Sequence, residues 1–410
     1  MSRAAVVFLM LFVLVSSLAA AETDWPQWRG AARDGHVASL PQTMPSLKLL
    51  WKHPMAGACD AGIAVADGRV LLADHDKDDH ATKNDFYRCL DAQTGTEIWS
   101  HSVPNDRDMD YGPAPRATPL IYRDKVYTLG AFGDLYCFEL KTGKIIWQKD
   151  FLKDFGVAKE PKWGFSSSPL IAGGKLIVNP GGKAALAALD PETGGILWQG
   201  KGGEANYSSF IAGTFGGVEQ VVGFDDKTLG GWELATGKRL WSVAVEHGEN
   251  YIVPTPIAVG GKLFVTDQKN DSQLFAFSND GKIQPEPVAK SDDICPEVIT
   301  PVVAGDLILG MTKELVCLDT ANNLNTLWTC GKDKDPAFTK DRPCHLIVSD
   351  SVALAFSSRG EMVLFQFDSK GPKILGRAKL CGRTLMHPTV AGTRLYVRDA
   401  EFLYCHDLTP

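Results

Sequence analysis

The feature that most constrains this chain is an eleven-residue pattern that occurs four times. One copy, Ala188 to Trp198, reads Ala-Leu-Asp-Pro-Glu-Thr-Gly-Gly-Ile-Leu-Trp, and the others run from Cys89 to Trp99, Cys137 to Trp147 and Gly231 to Trp241. Each copy begins with a small residue and has an acid third, Thr-Gly sixth and seventh, and Trp eleventh. Self-similarity of this kind is typical of repeat architectures. The sequence therefore predicts one supersecondary unit used many times.

The repeated unit has the chemistry of a β-hairpin. An apolar strand ends at Asp190, the turn that follows contains Pro191 and Gly194, and the chain returns through Ile196 to Trp198. Proline and a glycine able to adopt positive φ are typical turn residues. The small first position leaves a gap in the sheet face, which we expect the indole of a neighbouring sheet to fill. Each buried indole would contribute about 2 to 3 kcal/mol.

Counting the outer strands of these units predicts an all-β, eight-bladed propeller of four-stranded antiparallel blades over residues 47–410. The spacing is roughly 45 residues, as four-stranded blades require. The N-terminal strand around Trp51 is expected to join the three strands of His387 to Asp407 and close the ring. The main alternative is a seven-bladed ring with one sheet misread. The eight strand markers are Trp51, Trp99, Trp147, Trp198, Trp241, a degenerate strand near Ile283, Trp328 and a degenerate strand near Leu375.

The innermost strands also share a signature, a Ser, Thr or His followed by Pro. Proline lacks an N–H and therefore belongs at the start or the edge of a strand, so these starts should surround one mouth of a central channel. The upper face, as we call it, is the face that carries this mouth and the longer loops, and such loops concentrate functional residues. The upper loops are 74–85, 101–116, 150–164 and 330–343.

This pattern resembles the tryptophan-docking motif of the pyrroloquinoline quinone (PQQ) type of β-propeller, and the resemblance covers nearly the whole chain after residue 21. A further segment, Asp24 to Gly30, is similar to a signature that precedes many exported propellers of this kind, so residues 22–46 are expected to form an N-terminal latch clamped across a surface. The docking residues that the resemblance implies are Trp51, Trp99, Trp147, Trp198, Trp241, Trp328, Gly95, Gly143, Gly194 and Gly237.

The resemblance implies two kinds of relative. Quinoprotein dehydrogenases hold PQQ over the channel with a calcium ion, a tryptophan floor, a catalytic aspartate and usually a disulfide between adjacent cysteines. The other group is non-enzymatic and includes the outer-membrane assembly propeller, which is a docking platform. This sequence has no adjacent cysteine pair and no Cys-x-x-Cys-His haem attachment motif. Individual catalytic residues therefore cannot be transferred to it.

Residues 1–21 have the character of a signal peptide. Arg3 is followed by an apolar run from Ala4 to Leu18, and Ala19 to Ala21 fits a cleavage site. An uncleaved anchor is the alternative. We expect an exported, periplasmic or extracellular monomer, with no membrane-spanning segment in the mature chain. A net charge of −7 without a basic stripe argues against nucleic acid as a partner.

Two groups of residues are candidate metal ligands. In the first upper loop, alternating carboxylates and histidine could hold calcium or a transition metal, but the loop lacks the Gly and distal Glu of an EF-hand, and a solvated acidic loop is the favoured interpretation. Ring closure would bring a second group to the channel mouth, where Cys, His and Met suit a soft metal or a redox pair; the alternative is that they are unrelated residues lining a wet channel. The first group is Asp74, Asp76, Asp78 and His80, and the second is Cys59, Asp60, Cys344, His345, Met386 and His387.

Nine cysteines leave at least one thiol unpaired. Four occupy the small position of the repeat and are expected to be packed thiols, because equivalent positions lie in separate sheets: Cys89, Cys137, Cys317 and Cys405. Disulfides remain possible among the other five, and one between Cys330 and Cys344 would staple an upper loop. These five are Cys59, Cys295, Cys330, Cys344 and Cys381.

No nucleophile elbow, zinc-protease helix or phosphate-binding loop occurs in the sequence. The sequence therefore favours an exported binding or scaffold module whose upper face receives a protein or a small molecule. The first alternative is an oxidoreductase that uses PQQ, calcium or a transition metal, and the second is a carbohydrate-binding protein. Upper-loop residues that could form a shallow binding surface, or else pack blades together, are Tyr111, Phe155, Trp163, Tyr207, Arg107, Arg116 and Lys162.

Overall fold

The computed structural model describes residues 24–76, 83–105, 107, 109, 112, 114–245 and 251–410. Across these residues the chain forms eight four-stranded antiparallel sheets and one short helix. Each sheet is one blade of a closed ring. This confirms the predicted all-β, eight-bladed propeller, and a seven-bladed ring is wrong.

The first strand in the chain, β1 (Leu49–Pro54), belongs to the last blade. Blades 1 to 4 follow one another in sequence, each with its innermost strand first. Their strands are β2 (Ala64–Ala66), β3 (Arg69–His75), β4 (Asn84–Asp91), β5 (Glu97–Pro104); β6 (Leu120–Tyr122), β7 (Lys125–Leu129), β8 (Asp134–Glu139), β9 (Ile145–Asp150); β10 (Leu170–Ala172), β11 (Lys175–Val178), β12 (Leu186–Leu189), β13 (Ile196–Gly200); β14 (Ile211–Phe215), β15 (Val218–Phe224), β16 (Thr228–Glu233) and β17 (Arg239–Ala244).

Blades 5 to 7 have the same order, and the helix α1 (Phe151–Asp154) lies between blades 2 and 3. Blade 8 has three C-terminal strands and takes β1 as its outermost strand. The strands of blades 5 to 8 are β18 (Ile257–Val259), β19 (Lys262–Asp267), β20 (Asp271–Phe275), β21 (Ala289–Ser291); β22 (Val302–Ala304), β23 (Leu307–Met311), β24 (Leu315–Asp319), β25 (Asn325–Cys330); β26 (Cys344–Ser349), β27 (Val352–Ser357), β28 (Glu361–Asp368), β29 (Gly371–Lys379); β30 (Thr389–Ala391), β31 (Arg394–Arg398) and β32 (Phe402–Asp407).

The ring closes through β1 and β32, where Trp51 stands opposite Cys405. This confirms that the two ends of the propeller share one sheet. The core lies between blades, because each sheet packs on both of its neighbours. Strands β26 and β27 are consequently buried at every position, whereas the outer strand β5 has a single buried residue, Trp99, and its other side chains are exposed or half-buried.

Four indoles join consecutive blades through a glycine in the next hairpin. A Cβ built on Gly95 would lie 2.5 Å from the ring of Trp51, and one on Gly143 would lie 2.5 Å from the ring of Trp99. The pairs Trp147 with Gly194 and Trp198 with Gly237 have the same geometry. Each indole also donates its N–H to a backbone carbonyl of the same hairpin, at Ala92, Leu140, Pro191 and Leu234 respectively.

The small residue at the first position of the repeat contacts a different tryptophan from the one expected. Cys89 lies opposite Trp99 of its own blade, and Gly231 lies opposite Trp241 in the same way. A Cβ on Gly231 would lie 2.3 Å from that indole. The small residue therefore makes room for the tryptophan of its own sheet, while the glycine at the seventh position receives the indole of the preceding sheet.

The later blades depart from this arrangement. Trp328 still donates its N–H to the carbonyl of Asp368, at 2.7 Å, but a Cβ on Gly371 would meet nothing within 4 Å. Trp241 donates instead to Gln220 of its own blade, at 2.7 Å. The outer strand of blade 5 is β21, which follows the expected position at Ile283 by several residues. The loss of the motif in these blades thus has a visible structural counterpart.

All nine cysteines lie in the described residues and are free thiols. Cys89, Cys137, Cys317 and Cys405 are fully buried between blades. Cys330 and Cys344 are not bonded to each other, so no disulfide staples the loop between them. Within the ranges the structure covers, no helix is long and apolar enough to cross a membrane.

Candidate ligand site at the channel mouth

The segment Trp25–Val37, which we call the channel segment, occupies the centre of the ring. Trp25 exchanges two backbone hydrogen bonds of 2.7 Å with Val65 on β2, and Val37 donates to Val348 on β26 at 3.0 Å. The carbonyl of Pro26 accepts from Ile121 on β6 at 2.8 Å. The segment satisfies backbone groups that innermost strands would otherwise leave unpaired. It therefore lies inside the channel, not clamped over a surface as the sequence suggested.

Two buried arginines secure the channel segment. Arg29 donates to the carbonyls of Thr300 (2.9 Å) and Pro301 (2.6 Å), and Arg33 donates to those of Ser168 (3.1 Å) and Pro169 (2.8 Å). Burial lowers the pKa of Arg29 to about 10 and that of Arg33 to about 9, so both are cationic at neutral pH. The two side chains thereby tie blades 6 and 3 to the segment.

Hydroxyl groups at the starts of the innermost strands link neighbouring blades. The backbone N–H of Thr118 donates to Ser168 Oγ, that of Ser168 donates to Ser209 Oγ, and that of Thr255 donates to Thr300 Oγ1, each at 3.0 Å. Thr118, Ser168, Thr255 and Thr300 belong to the set that the Ser/Thr-Pro signature placed around one mouth of the channel, whereas Ser209 precedes a phenylalanine. The links explain why a hydroxyl precedes the proline in most blades.

Above the channel segment, the mouth encloses a cavity of about 410 Å³. Trp28 forms its floor and donates its indole N–H to Thr255 Oγ1 at 2.9 Å. All eight blades contribute to the wall, mainly through the residues just before their innermost strands. The wall includes Asp60, Arg116, Lys162, Trp163, Tyr207, Tyr251, Glu297, His345, Met386 and His387.

One side of the cavity is an aromatic wall formed by Trp163, Tyr207 and Tyr251. The ring centres of Trp163 and Tyr207 are 5.3 Å apart, and those of Trp163 and Tyr251 are 4.9 Å apart with the rings perpendicular. The hydroxyl of Tyr251 donates to Glu297 at 3.1 Å. Aromatic faces of this kind stack on planar ligands and on sugar rings.

Two cations flank the aromatic wall. Lys162 Nζ lies 4.9 Å from the ring centre of Trp163. Burial raises the pKa of Tyr207, and the nearby charge of Arg116 opposes that shift. Burial also raises the pKa of Asp60, again opposed by Arg116 and by Arg398. The charge of Arg116 therefore acts on both Tyr207 of the aromatic wall and Asp60.

The opposite side carries a histidine pair, His345 and His387, whose ring centres are 5.0 Å apart. Both rings are buried, and burial lowers the pKa of His345 to about 4 and that of His387 well below its ordinary value. Trp25 and Trp28 pack against His387 with ring centres 5.7 and 5.5 Å away. Met386 lines the same part of the cavity.

The two cysteines of the candidate soft-metal cluster do not line the cavity. Cys59 is buried beside Arg398, which donates to its sulfur at 3.3 Å, and desolvation raises its pKa to about 11. Cys344 donates to the carbonyl of Arg342 at 3.2 Å within the core between blades 6 and 7, and burial raises its pKa to about 12. Of the six candidates, the cavity brings together Asp60, His345, Met386 and His387.

The acidic loop is only partly described, since Asp78 and His80 lie outside the described residues. Asp74 is fully buried, pairs with Arg88 at 3.0 Å and accepts from the N–H of Ala56 at 2.6 Å. Asp76 accepts two hydrogen bonds from Asn84, at 2.9 and 2.8 Å. Both carboxylates are therefore engaged by protein donors.

The shallow upper-face surface is only partly present. Trp163, Tyr207, Arg116 and Lys162 line the cavity, whereas Phe155 is buried in the core and Arg107 lies over the ring of Phe132. Tyr111 is outside the described residues. Sequence reasoning missed Trp28 and Tyr251 as cavity residues. The position of Tyr251, four residues before Thr255-Pro256, was the available signal for the second.

The family described as "Outer membrane protein assembly factor BamB" matches residues 83–330, more than half of the chain. The chain belongs to this family of PQQ-like propellers.

Individual members match over shorter stretches. The quinone alcohol dehydrogenase subunit of Gluconobacter oxydans is 30% identical over 191 residues, which is 43% of this chain and 24% of that protein. BamB of Shewanella oneidensis is 30% identical over 147 residues, 35% of each chain. Among solved structures, the quinohemoprotein alcohol dehydrogenase of Comamonas testosteroni has a TM-score of 0.62 at 13% identity, covering 94% of this chain and 80% of that one. This structural likeness shows the fold alone, and the matched stretches span 18% to 35% of the relatives' length.

The cavity has only some of the features of the quinone site that the family resemblance implied. Its tryptophan floor, aromatic wall and two flanking cations suit a planar, anionic molecule. Its carboxylates, Asp60 and Glu297, come from blades 1 and 6, and in the described part of the chain no three His, Cys, Asp or Glu side chains are grouped to share a metal ion. The donor set therefore does not match a quinone held together with calcium.

Proposed function

We propose that this chain is an exported binding module that holds a small planar anion in the cavity at its channel mouth. The observation that carries the proposal is the cavity itself, about 410 Å³ with Trp28 as its floor. Ligand sites are typically concave, mostly apolar and furnished with a few polar groups that fix orientation. A rigid ring of eight blades would keep such a site preformed.

The charge distribution favours an anion with an aromatic body. Lys162 lies against the aromatic wall and is exposed, so a ligand stacked on Trp163 would meet its ammonium group. Arg116 lies on the same side, although Asp60 takes part of its charge. Guanidinium groups bind carboxylates through paired hydrogen bonds. A planar molecule with a carboxylate would therefore stack on the aromatic wall and pair with Lys162 and Arg116 at the same time.

Binding can be measured with PQQ as the probe, because it is a planar tricarboxylate. We expect saturable quenching of tryptophan fluorescence without added calcium, since Trp28 and Trp163 line the cavity. Lys162→Gln and Trp163→Ala should each weaken binding about tenfold, from the loss of a charge-assisted contact or of stacking. Lys141→Gln, in a hairpin on the opposite face, removes the same charge and should change nothing.

Other results would contradict the proposal. Binding that is equal in Lys162→Gln and Lys141→Gln would place the probe outside the cavity. Binding of neutral oligosaccharides in preference to PQQ would favour the carbohydrate-binding alternative. Dye reduction with alcohols or sugars after addition of PQQ and calcium would favour the oxidoreductase alternative. The similarity to quinone alcohol dehydrogenase is the reason to include this assay.

We also propose that the protein works outside the cytoplasm after removal of residues 1–21. The apolar run and the alanine-rich cleavage site support export, and one similar protein is by name an outer-membrane assembly factor. Protein recovered from the extracytoplasmic fraction is expected to begin at Glu22. A chain that keeps its first residues and stays with the cytoplasmic fraction would contradict this.

A further inference from the structure

The rim of the cavity carries two exposed side chains of opposite charge, Lys162 and Glu297. Lys162 Nζ lies 4.9 Å from the ring centre of Trp163, and Glu297 accepts a hydrogen bond of 3.1 Å from the hydroxyl of Tyr251. In the described part of the chain, no salt bridge involves either residue. Both charges are therefore available to a ligand.

The aromatic wall connects these two charges. Lys162 and Trp163 precede blade 3, Tyr251 precedes blade 5 and Glu297 precedes blade 6. The rings of Trp163 and Tyr251 are in contact, with centres 4.9 Å apart. A ligand that lies along the wall thus meets an ammonium group near Trp163 and a carboxylate near Tyr251. The contacts between them limit the separation of the two charges to about 16 Å, which up to about five extended residues can span.

The other two charges of the cavity wall largely compensate each other. Asp60 and Arg116 precede the innermost strands of the adjacent blades 1 and 2. Burial raises the pKa of Asp60 and lowers that of Arg116, and in each case the charge of the other residue opposes the shift. The charges with the least compensation are therefore those of Lys162 and Glu297.

Two apolar side chains at the rim are exposed to water. Leu385 is 58% exposed and Val298, next to Glu297, is 39% exposed, and both line the cavity. A ligand with apolar side chains of its own would cover them, and burial of apolar surface favours binding. The rim therefore suits a ligand that extends beyond a single flat ring.

We propose that the ligand of this cavity is a short peptide with free N- and C-termini and an aromatic side chain. The aromatic ring stacks on Trp163, the terminal carboxylate pairs with Lys162, and the terminal ammonium group pairs with Glu297. The inference rests on the proposed function, because it specifies the chemical class of the anion that the cavity binds. Since both termini are engaged, a longer chain that offers only one terminus is excluded.

The test is a calorimetric titration of the purified full chain with the tripeptide alanyl-phenylalanyl-alanine. Acetylation of its N-terminus and amidation of its C-terminus should each weaken binding about fivefold, because each removes one solvent-exposed ion pair. Tri-alanine, which lacks the aromatic ring, should bind about tenfold more weakly. If tri-alanine bound as tightly as the aromatic peptide, stacking on the wall would be contradicted.

Two variants identify which residue binds each terminus. Glu297→Gln should weaken binding of the free peptide about fivefold and abolish the effect of acetylation while leaving that of amidation. Lys162→Gln should abolish the effect of amidation and leave that of acetylation. Such non-additivity identifies groups in direct contact. Glu286→Gln and Lys141→Gln are the matched controls, because both residues are exposed and lie outside the cavity, and neither change should affect binding. Thermal melting shows whether each variant still folds.

PQQ separates failure of this inference from failure of the proposed function. PQQ has carboxylates but no ammonium group, so Glu297→Gln should not weaken its binding, whereas the same substitution should weaken binding of the peptide. Binding of PQQ that depends on Lys162, together with no binding of the peptide, would overturn the inference and leave the proposed function intact. Absence of binding for both probes would overturn both.

Two further results would contradict the inference even if the peptide binds. Equal affinity of the wild type for the free and the acetylated peptide would mean that the ammonium group is not recognised, and the site would then fit the C-terminus of a longer chain. An effect of acetylation that persists in Glu297→Gln would show that a different group binds the N-terminus.

Discussion

Replacing Gly143 with alanine is expected to lower the free energy of unfolding by about 4 kcal/mol, because it adds backbone strain, overpacking and a lost hydrogen bond. The residue has φ +70°, and its new Cβ would lie 2.5 Å from Cδ2 of Trp99. The indole cannot retreat freely, since its N–H donates to Leu140 at 2.8 Å and its ring packs on Phe138. Moving it would loosen the joint between blades 1 and 2.

Gly174 is the matched control for this substitution. It has φ +71°, nearly the same as Gly143, but its Cβ would meet nothing within 4 Å. Gly174→Ala therefore carries the backbone cost alone, about 1 kcal/mol. Urea denaturation of the two variants measures the difference. Equal losses would mean that the indole does not require the glycine.

A second comparison identifies the indole as the cause. In a Trp99→Leu background the clash at Gly143 is removed, so adding Gly143→Ala should cost no more than Gly174→Ala does. Residues in direct contact are non-additive in this way, whereas distant ones add. Full additivity of Trp99→Leu and Gly143→Ala would contradict a direct contact between the two side chains.

The architecture was predictable from sequence because it depends on local features that repeat. Each hairpin is marked by turn residues, such as those around Gly143 and Gly194, and by the tryptophan on its returning strand. The regular spacing of these hairpins gives the number of blades. Even ring closure followed, since Trp51 lacked a hairpin before it and Cys405 lacked a strand after it. What sequence reasoning misplaced was the partner of each small residue, because strand register decides whether Trp99 meets Cys89 or a neighbouring blade.

The cavity could be predicted only in outline. The Ser/Thr-Pro starts located its rim, and closure of the ring brought His345 near His387. Trp28 and Arg29 lie in a segment without periodicity, whose contacts with Thr300 cross 271 positions of the chain. No local pattern specifies such contacts. The hydrogen bonds of both histidines go to backbone carbonyls, which carry no sequence signal at all.

The histidine pair also affects how the stability of the protein responds to acid. The pKa of His345 is lowered to about 4 and that of His387 lies well below its usual value, in both cases mainly through desolvation. Unfolded histidine takes up a proton near pH 6.5. Between pH 6.5 and pH 4 the unfolded chain therefore binds more protons than the folded one, and stability must fall as the pH falls. Above pH 6.5 the two histidines are neutral in both the folded and the unfolded chain, so they no longer make stability depend on pH.

For His345 alone, this difference corresponds to about 3 kcal/mol of stability lost between pH 6.5 and pH 4. His387 adds to that loss. Urea denaturation at a series of pH values should show a steeper decline for wild type than for the double variant His345→Gln, His387→Gln. Carboxylates titrate in both proteins, so their contribution to the pH dependence cancels when the two curves are compared. Parallel curves below pH 6.5 would show that the rings are already solvated in the folded state, because only desolvated rings resist protonation.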